Sequence, residues 1–303
     1  MVNGDTATGV LCVDLGGTRL RVAVFSSEGD MLHKSVIPTP DDAPQALVAA
    51  MKDALAACAI EVEGAVVGVP GPVSYAEGKA IRLPNLPGWE QHISAQRIAD
   101  AITLPVLLAN DADLAALGEH RYGAGQGASD MAYVTSSTGV GAGVIISGRL
   151  LHGRWSLAEI GHTVIERGTG GTVESLGSGT ALERSAGRDG AEVTAAAQAG
   201  DERALAMFRE VAEAFATGVH NLVHCFAPER VVIGGGMSQA GDLLLGPVRE
   251  RLKRCTLGCS AWATEVVLAE GGDDVGLLGA FALWGDWSAD PSNSRLTPAQ
   301  PSS

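Results

Sequence analysis

Acidic side chains set beside glycine-rich turns carry the chemistry open to this sequence. Asn110-Asp111 closes the apolar run of residues 106–109 and precedes a helical pattern through Leu114, Leu117 and Arg121. A carboxylate at the C-terminal end of a strand can orient a hydroxyl and accept its proton, and phosphoryl transfer needs little more covalent help than that. An ordinary Asp is ionised at neutral pH, so it can take the proton late, as the new bond forms. Asn and Asp are also favoured helix caps, and Asp113 suits a first turn, so the pair fits a structural role as well. Asp14-Leu15-Gly16-Gly17-Thr18-Arg19 ends another buried run and opens a hairpin. Paired Gly lets the backbone turn tightly and present N–H groups to an anion. Thr18 adds a hydroxyl, Arg19 a positive charge, and Asp14 a carboxylate of the kind that holds hydrated Mg²⁺. Ser136-Ser137-Thr138-Gly139-Val140-Gly141 repeats the device, and two such turns together can clamp a polyphosphate. Ile233-Gly234-Gly235-Gly236 removes side chains after a third buried run, which suits a base or ribose lying on backbone. Glu159-Ile160-Gly161-His162, Glu174 and Asn85-Leu86-Pro87-Gly88-Trp89 supply polar groups that can bond vicinal hydroxyls, with an aromatic wall.

These groups need a frame, and the hydrophobic pattern supplies one. Residues 10–13 read as a buried strand, 21–25 as its partner and 31–37 as a third strand after turn chemistry at 26–30. Residues 44–58 read as a helix capped by Asp41 or Asp42, with Pro44 in its first turn and Leu47, Met51, Leu55 and Cys58 on one face. Residues 65–69 and 106–109 read as strands buried on both faces. The second half repeats the order: strand 131–135, the Gly turn, strand 142–147, a long helix near 203–226, then strands 231–233 and 266–268. The expectation is two related α/β domains facing one another across a cleft. Residues 1–115 form the smaller, completed by a helix near 275–286. Residues 116–275 form the larger, and 288–303 a disordered tail.

Composition excludes other classes. The 303 residues carry a formal charge of −14, which repels phosphodiester backbones and argues against a nucleic-acid partner. Five Cys at uneven spacing do not form a disulfide framework; Cys12, Cys58 and Cys225 read as small buried hydrophobes. No apolar run approaches a membrane span, and the first thirty residues lack a leader's apolar stretch, so a cytoplasmic protein is expected.

In order along the chain, nine segments resemble the ROK family of sugar kinases. They begin at residues 14–18, 68–73, 85–89, 110–112 and 118–125, and continue at 138–141, 159–162, 174–182 and 233–236. The resemblance spans about residues 10–284. It implies two ribonuclease-H-like (actin-like ATPase) domains with a nucleotide in the cleft. It also implies ATP with Mg²⁺ and phosphorylation of a hexose at its 6-hydroxyl, glucose by default, in a homodimer. It sets Asp111 as base, and Asn85, Asn110, Glu159, His162 and Glu174 as sugar contacts. Gly16, Gly17, Thr18, Thr138, Gly139 and Gly235 become nucleotide contacts. The family's zinc motif is broken here, because its three Cys positions hold Ile165, Arg167 and Thr172. None can replace a thiolate, so no structural zinc is expected. Alternatives within the class are an N-acetylated amino sugar, a sugar-like cyclitol, or polyphosphate as donor. The family's other branch, a sugar-responsive transcriptional regulator, needs a helix-turn-helix of about sixty residues ahead of the first Gly turn. Thirteen residues precede Asp14.

Overall fold

The computed structural model describes residues 8–40, 44–156, 158–255, 263–291 and 296–302. The expected caps Asp41 and Asp42 lie outside the described residues. Two units divide the chain. The first holds residues up to Arg121, His152–Ser156 and Gly271 onward; the second holds Tyr122–Leu151 and Leu157–Glu270. The division thus falls in the last turn of the helix that starts at Asp111, a few residues beyond the expected 115.

Unit 1 is built on a five-stranded sheet of order β3-β2-β1-β4-β7. Strands β1 (Thr8–Leu15), β2 (Arg19–Ser26) and β3 (Met31–Pro38) form an antiparallel meander, and β4 (Glu61–Val69) and β7 (Val106–Asn110) add in parallel. The inner strands are apolar runs buried on both faces; β3, at the edge, is mostly exposed or half-buried. Between β4 and β7 lie the small hairpin β5 (Val73–Ser74) and β6 (Lys79–Ala80) and helix α2 (Ala95–Ile102). Helix α1 (Pro44–Ala56) buries Leu47, Met51 and Ala54, ending before Cys58. Helix α3 (Asp111–Tyr122) leaves β7 directly. Helix α9 (Val275–Ala289) packs on β1, β2 and β4. It approaches α3 so closely that a Cβ on Gly279 would collide with the Leu114 carbonyl.

Unit 2 repeats the sheet as β10-β9-β8-β13-β14. Strands β8 (Met131–Ser136), β9 (Val140–Ile146) and β10 (Arg149–Leu150) are antiparallel; β13 (Arg230–Gly234) and β14 (Glu265–Leu268) add in parallel. A second hairpin, β11 (Val164–Glu166) with β12 (Gly171–Thr172), precedes helices α4 (Val173–Gly177), α5 (Gly179–Ala186) and α6 (Gly190–Gln198). Helix α7 (Glu202–Phe226) buries the stripe Ala204, Phe208, Val211, Phe215, Val219 and Leu222 and packs on α8 (Asp242–Cys255) and α4. Asp201 caps α7 by accepting from Ala204 N–H, and Ala227, at φ 48°, ends it.

Two expectations are corrected. The Ser/Pro/Asn-rich end is not a tail from Ser288: α9 continues to Ala289, Leu296 is buried, and Ala299 pairs with Val106 on the open edge of β7. Backbone bonds to an unfilled strand edge order a segment that carries few apolar side chains. Of the three cysteines read as buried, only Cys12 is; Cys58 falls beyond the end of α1 and is half-buried, and Cys225 sits on the outward side of α7 and is exposed.

Candidate functional site

In unit 1 the turn joining β1 to β2 is closed by Gly16 N–H donating to the Arg19 carbonyl at 2.9 Å. Thr39 holds it from behind, donating from its hydroxyl to Gly16 O at 2.7 Å and from its N–H to Thr18 O at 3.0 Å. Asp14 and Arg21 stand opposite each other in register, and Arg21 Nη1 meets Asp14 Oδ2 at 3.1 Å. Burial pushes the Asp14 carboxyl above its usual range; Arg21 pulls it back, and the charge of Asp274 adds to the rise. Thr18 and Arg19 are exposed. Arg19 lies 4.0 Å from Asp273, with both side chains largely in solvent, a pairing worth little. Gly17 faces Asn85: a Cβ there would lie 2.9 Å from the Asn85 Cβ, so the turn and this candidate contact meet. Trp89 is not a wall for a ligand; it is 2% exposed and belongs to the core. The loop before it is held by Glu90, which accepts from Leu83 N–H at 3.3 Å and Gly88 N–H at 3.0 Å. Backbone bonds of this kind keep its carboxyl below the usual range.

Asn110 is the cap of α3. Its Oδ1 accepts from Ala112 N–H at 2.9 Å and Asp113 N–H at 3.1 Å. Its amide donates to the Gly71 carbonyl at 3.0 Å and to Asp111 Oδ1 at 3.1 Å. Both amide protons are therefore engaged, and Asn110 shapes the site by holding the next residue. Asp111 Oδ1 also accepts from Ala112 N–H at 2.8 Å, and the residue is half-exposed.

In unit 2 the corresponding turn is closed by Ser137 N–H donating to Gly139 O at 2.9 Å. The start of α5 braces it: Gly179 N–H donates to Ser137 O at 2.7 Å and the Thr180 hydroxyl to Thr138 O at 2.8 Å. Glu174 Oε2 accepts from Val140 N–H at 3.0 Å and lies over Gly139, where any Cβ would collide with it. Glu159 approaches His162 with 3.9 Å between Oε2 and Nε2. Burial raises the Glu159 carboxyl, His162 opposes the rise and Glu174 adds to it. The structure thus gathers Glu159, His162 and Glu174 beside Thr138 and Gly139. Gly234 and Gly235 join them, since Gly235, at φ 83°, lies against the Ser136 carbonyl and Gly234 against the Tyr133 ring. Packing demands those two glycines; Gly236 has open space.

The segment aligned with the missing zinc motif is tied by hydrogen bonds. Thr172 and Ser175 form a reciprocal capping box at 3.1 and 2.8 Å, Val173 N–H donates to Thr163 O at 3.0 Å, and the Thr169 hydroxyl donates to Glu166. These ties fix α4, which carries Glu174. Sequence reasoning missed Thr39, Glu90 and Tyr75 as structural partners of the site, because a partner across a fold leaves no local pattern.

Comparison with known proteins follows the same lines. The ROK family model matches residues 10–286. A glucokinase of Streptomyces coelicolor is 31% identical over 89% of this chain and 96% of its own. The crystal structure of a ROK hexokinase from Thermus thermophilus matches with a TM-score of 0.79 at 33% identity, covering 93% of this chain and 99% of that one. A ROK family glucokinase from Streptomyces griseus, solved with glucose and AMPPNP, matches with a TM-score of 0.76 at 31% identity over 91% and 98%. Among the described residues, no helix is long and apolar enough to cross a membrane.

Proposed function

The chain belongs to the ROK family, and from that premise we propose that it is an ATP-dependent hexose kinase that phosphorylates a primary hydroxyl, with glucose the first substrate to try. The observation that carries this is Asp111, a half-exposed carboxylate at the first residue of α3 with Oδ1 pinned by Asn110 and Ala112. Its other oxygen, Oδ2, orients the sugar hydroxyl and takes the proton as the P–O bond forms. The turns at Gly16–Thr18 and Thr138–Gly139 offer N–H and hydroxyl groups to the phosphates, with Arg19 adding charge. Gly234 and Gly235 leave backbone for the nucleoside. Asp14 is an oxygen donor suited to Mg²⁺, with Arg21 engaging one of its two oxygens. The ion, when bound, neutralises charge on the phosphates. Asn85, Glu159, His162 and Glu174 bond the sugar hydroxyls. The same reading includes a homodimer working in the cytoplasm.

The test is a coupled ATPase assay of the purified chain with Mg²⁺ against hexoses, amino sugars and cyclitols. Asp111→Asn keeps an oxygen for Ala112 N–H, so α3 still starts, but it removes the base. Turnover should fall by about 10²- to 10⁴-fold while glucose binding, read by calorimetry, survives. Near-normal turnover in this variant refutes the role.

A further inference from the structure

The carboxylate of Asp111 is aimed by the first turn of α3, so whatever fixes that turn fixes the aim. The chain after β4 grips the turn at two places. One is the Asn110 amide on the Gly71 carbonyl at 3.0 Å. The other is the Tyr75 hydroxyl, which donates to Asp113 Oδ2. Both partners are sequestered: Tyr75 is 5% and Asp113 1% exposed. Burying a carboxylate is costly unless it is well bonded, and the neighbouring buried positions of α3 are Ala112, Leu114, Ala115 and Ala116. A core role alone would be met by another Ala or Leu at position 113. The other buried acid of α3, Glu119, already has a structural use, accepting from Gly271 N–H at 2.7 Å where the chain enters α9.

Tyr75 is itself held rigidly. It follows β5, whose Val73 exchanges two hydrogen bonds with Ser156: Ser156 N–H to Val73 O at 3.1 Å, and Val73 N–H to the Ser156 hydroxyl at 3.3 Å. Trp155 bridges to Ser74, and the His152 ring meets the Tyr75 ring edge-on at 4.6 Å between centroids. The tyrosine hydroxyl is therefore a fixed point, and Asp113 docks the helix start onto it.

We propose that Tyr75 and Asp113 are positioning residues that hold the first turn of α3 so that Asp111 faces the sugar hydroxyl in line. The proposal rests on Asp111 being the base. A small loss of alignment at a reacting group lowers turnover without weakening ground-state binding. The experiment compares kcat and KM for the preferred sugar in Tyr75→Phe, Asp113→Ala, Asp113→Asn and the double variant Tyr75→Phe/Asp113→Ala. Tyr75→Phe keeps the ring and loses the donor; kcat should fall about tenfold with KM for sugar within about twofold. Asp113→Ala should match it, and the double variant should fall no further. Asp113→Asn keeps an oxygen for the tyrosine hydroxyl and should keep at least about half of kcat. A folded Tyr75→Phe with unchanged kcat, alongside an inactive Asp111→Asn, overturns the clamp alone. If Tyr75→Phe does not fold, the two Asp113 variants decide: an Asn that falls as far as Ala overturns the proposal. Full turnover in Asp111→Asn overturns the base assignment, and the clamp with it.

Discussion

The two units open on the same plan, three antiparallel strands followed by two parallel ones, yet they fix their glycine turns by different means. In unit 1 the acid beside the turn and its counter-ion come from the hairpin's own strands, Asp14 on β1 facing Arg21 on β2. In unit 2 the equivalent strands carry no acid. The carboxylate arrives from α4 instead, as Glu174, thirty-four residues along the chain, and it lands on the backbone of the turn itself. The unit 1 turn thus keeps its carboxylate paired within its own sheet. The other is completed by a helical layer that also carries the candidate sugar contacts. A change in that layer reaches the unit 2 turn directly.

The contrast is broken most strongly at Arg21. Arg21→Met keeps the length of the side chain and leaves Asp14 without its cation. Both side chains are mostly buried, so folding stability should fall by about 3 kcal/mol at pH 8, measured by urea unfolding. The sign with pH follows from the direction of the Asp14 shift. Burial raises its folded carboxyl, and losing Arg21 raises it further. The penalty belongs to the ionised form. It is therefore complete above the raised value and shrinks as pH falls through it. A loss below about 1 kcal/mol, or one that does not shrink in acid, would remove the claim that the unit 1 turn depends on its own ion pair.

A smaller effect is expected at Glu174. Glu174→Ala leaves Val140 N–H without its acceptor and loosens the turn, so KM for ATP should rise about tenfold. Glu174→Gln keeps an accepting oxygen, and its rise should stay within about threefold. Initial-rate kinetics at saturating sugar distinguish them. Equal losses in Ala and Gln would mean that the charge, not the acceptor, holds the turn.

What was legible in the sequence divides along the same line. Apart from the edge strands β3 and β10, the strands of both sheets and the long helix α7 follow from apolar runs and a 3.6-residue stripe, because burial of one face or two dictates those patterns. The Asp14 turn was legible since its parts lie within a few residues of each other. Asp111 was legible as a polar pair at a strand end, and its capping by Asn110 showed that the structural and catalytic readings of the pair are compatible. Tyr75 and Trp89 were not legible. An aromatic in a loop-like stretch reads the same whether it lines a ligand or fills a core, and only the three-dimensional partners decide. The docked end of the chain failed for a related reason: a segment that meets an edge through a single backbone bridge, with Leu296 and Pro298 buried, has almost no side-chain signature.

The subtlest expected effect lies in how the carboxylates of unit 2 feel one another. Glu159 is raised by burial and by the charge of Glu174, and His162 opposes the rise. In the proposed site Glu159 accepts sugar hydroxyls as a carboxylate; protonated, it would give up part of that capacity. KM for the sugar should therefore rise roughly threefold as pH falls through a value above the ordinary glutamate range, while kcat changes less. In Glu174→Gln the repelling charge is gone, so the inflection should move toward acid. In His162→Gln the opposing cation is gone, so it should move toward neutral. An inflection that stays in place in both variants would mean that Glu159 responds to burial alone. The layer that completes the unit 2 turn would then fix the turn by geometry without tuning the acid beside it, and the two units would differ in where their carboxylates come from but not in how those carboxylates are set.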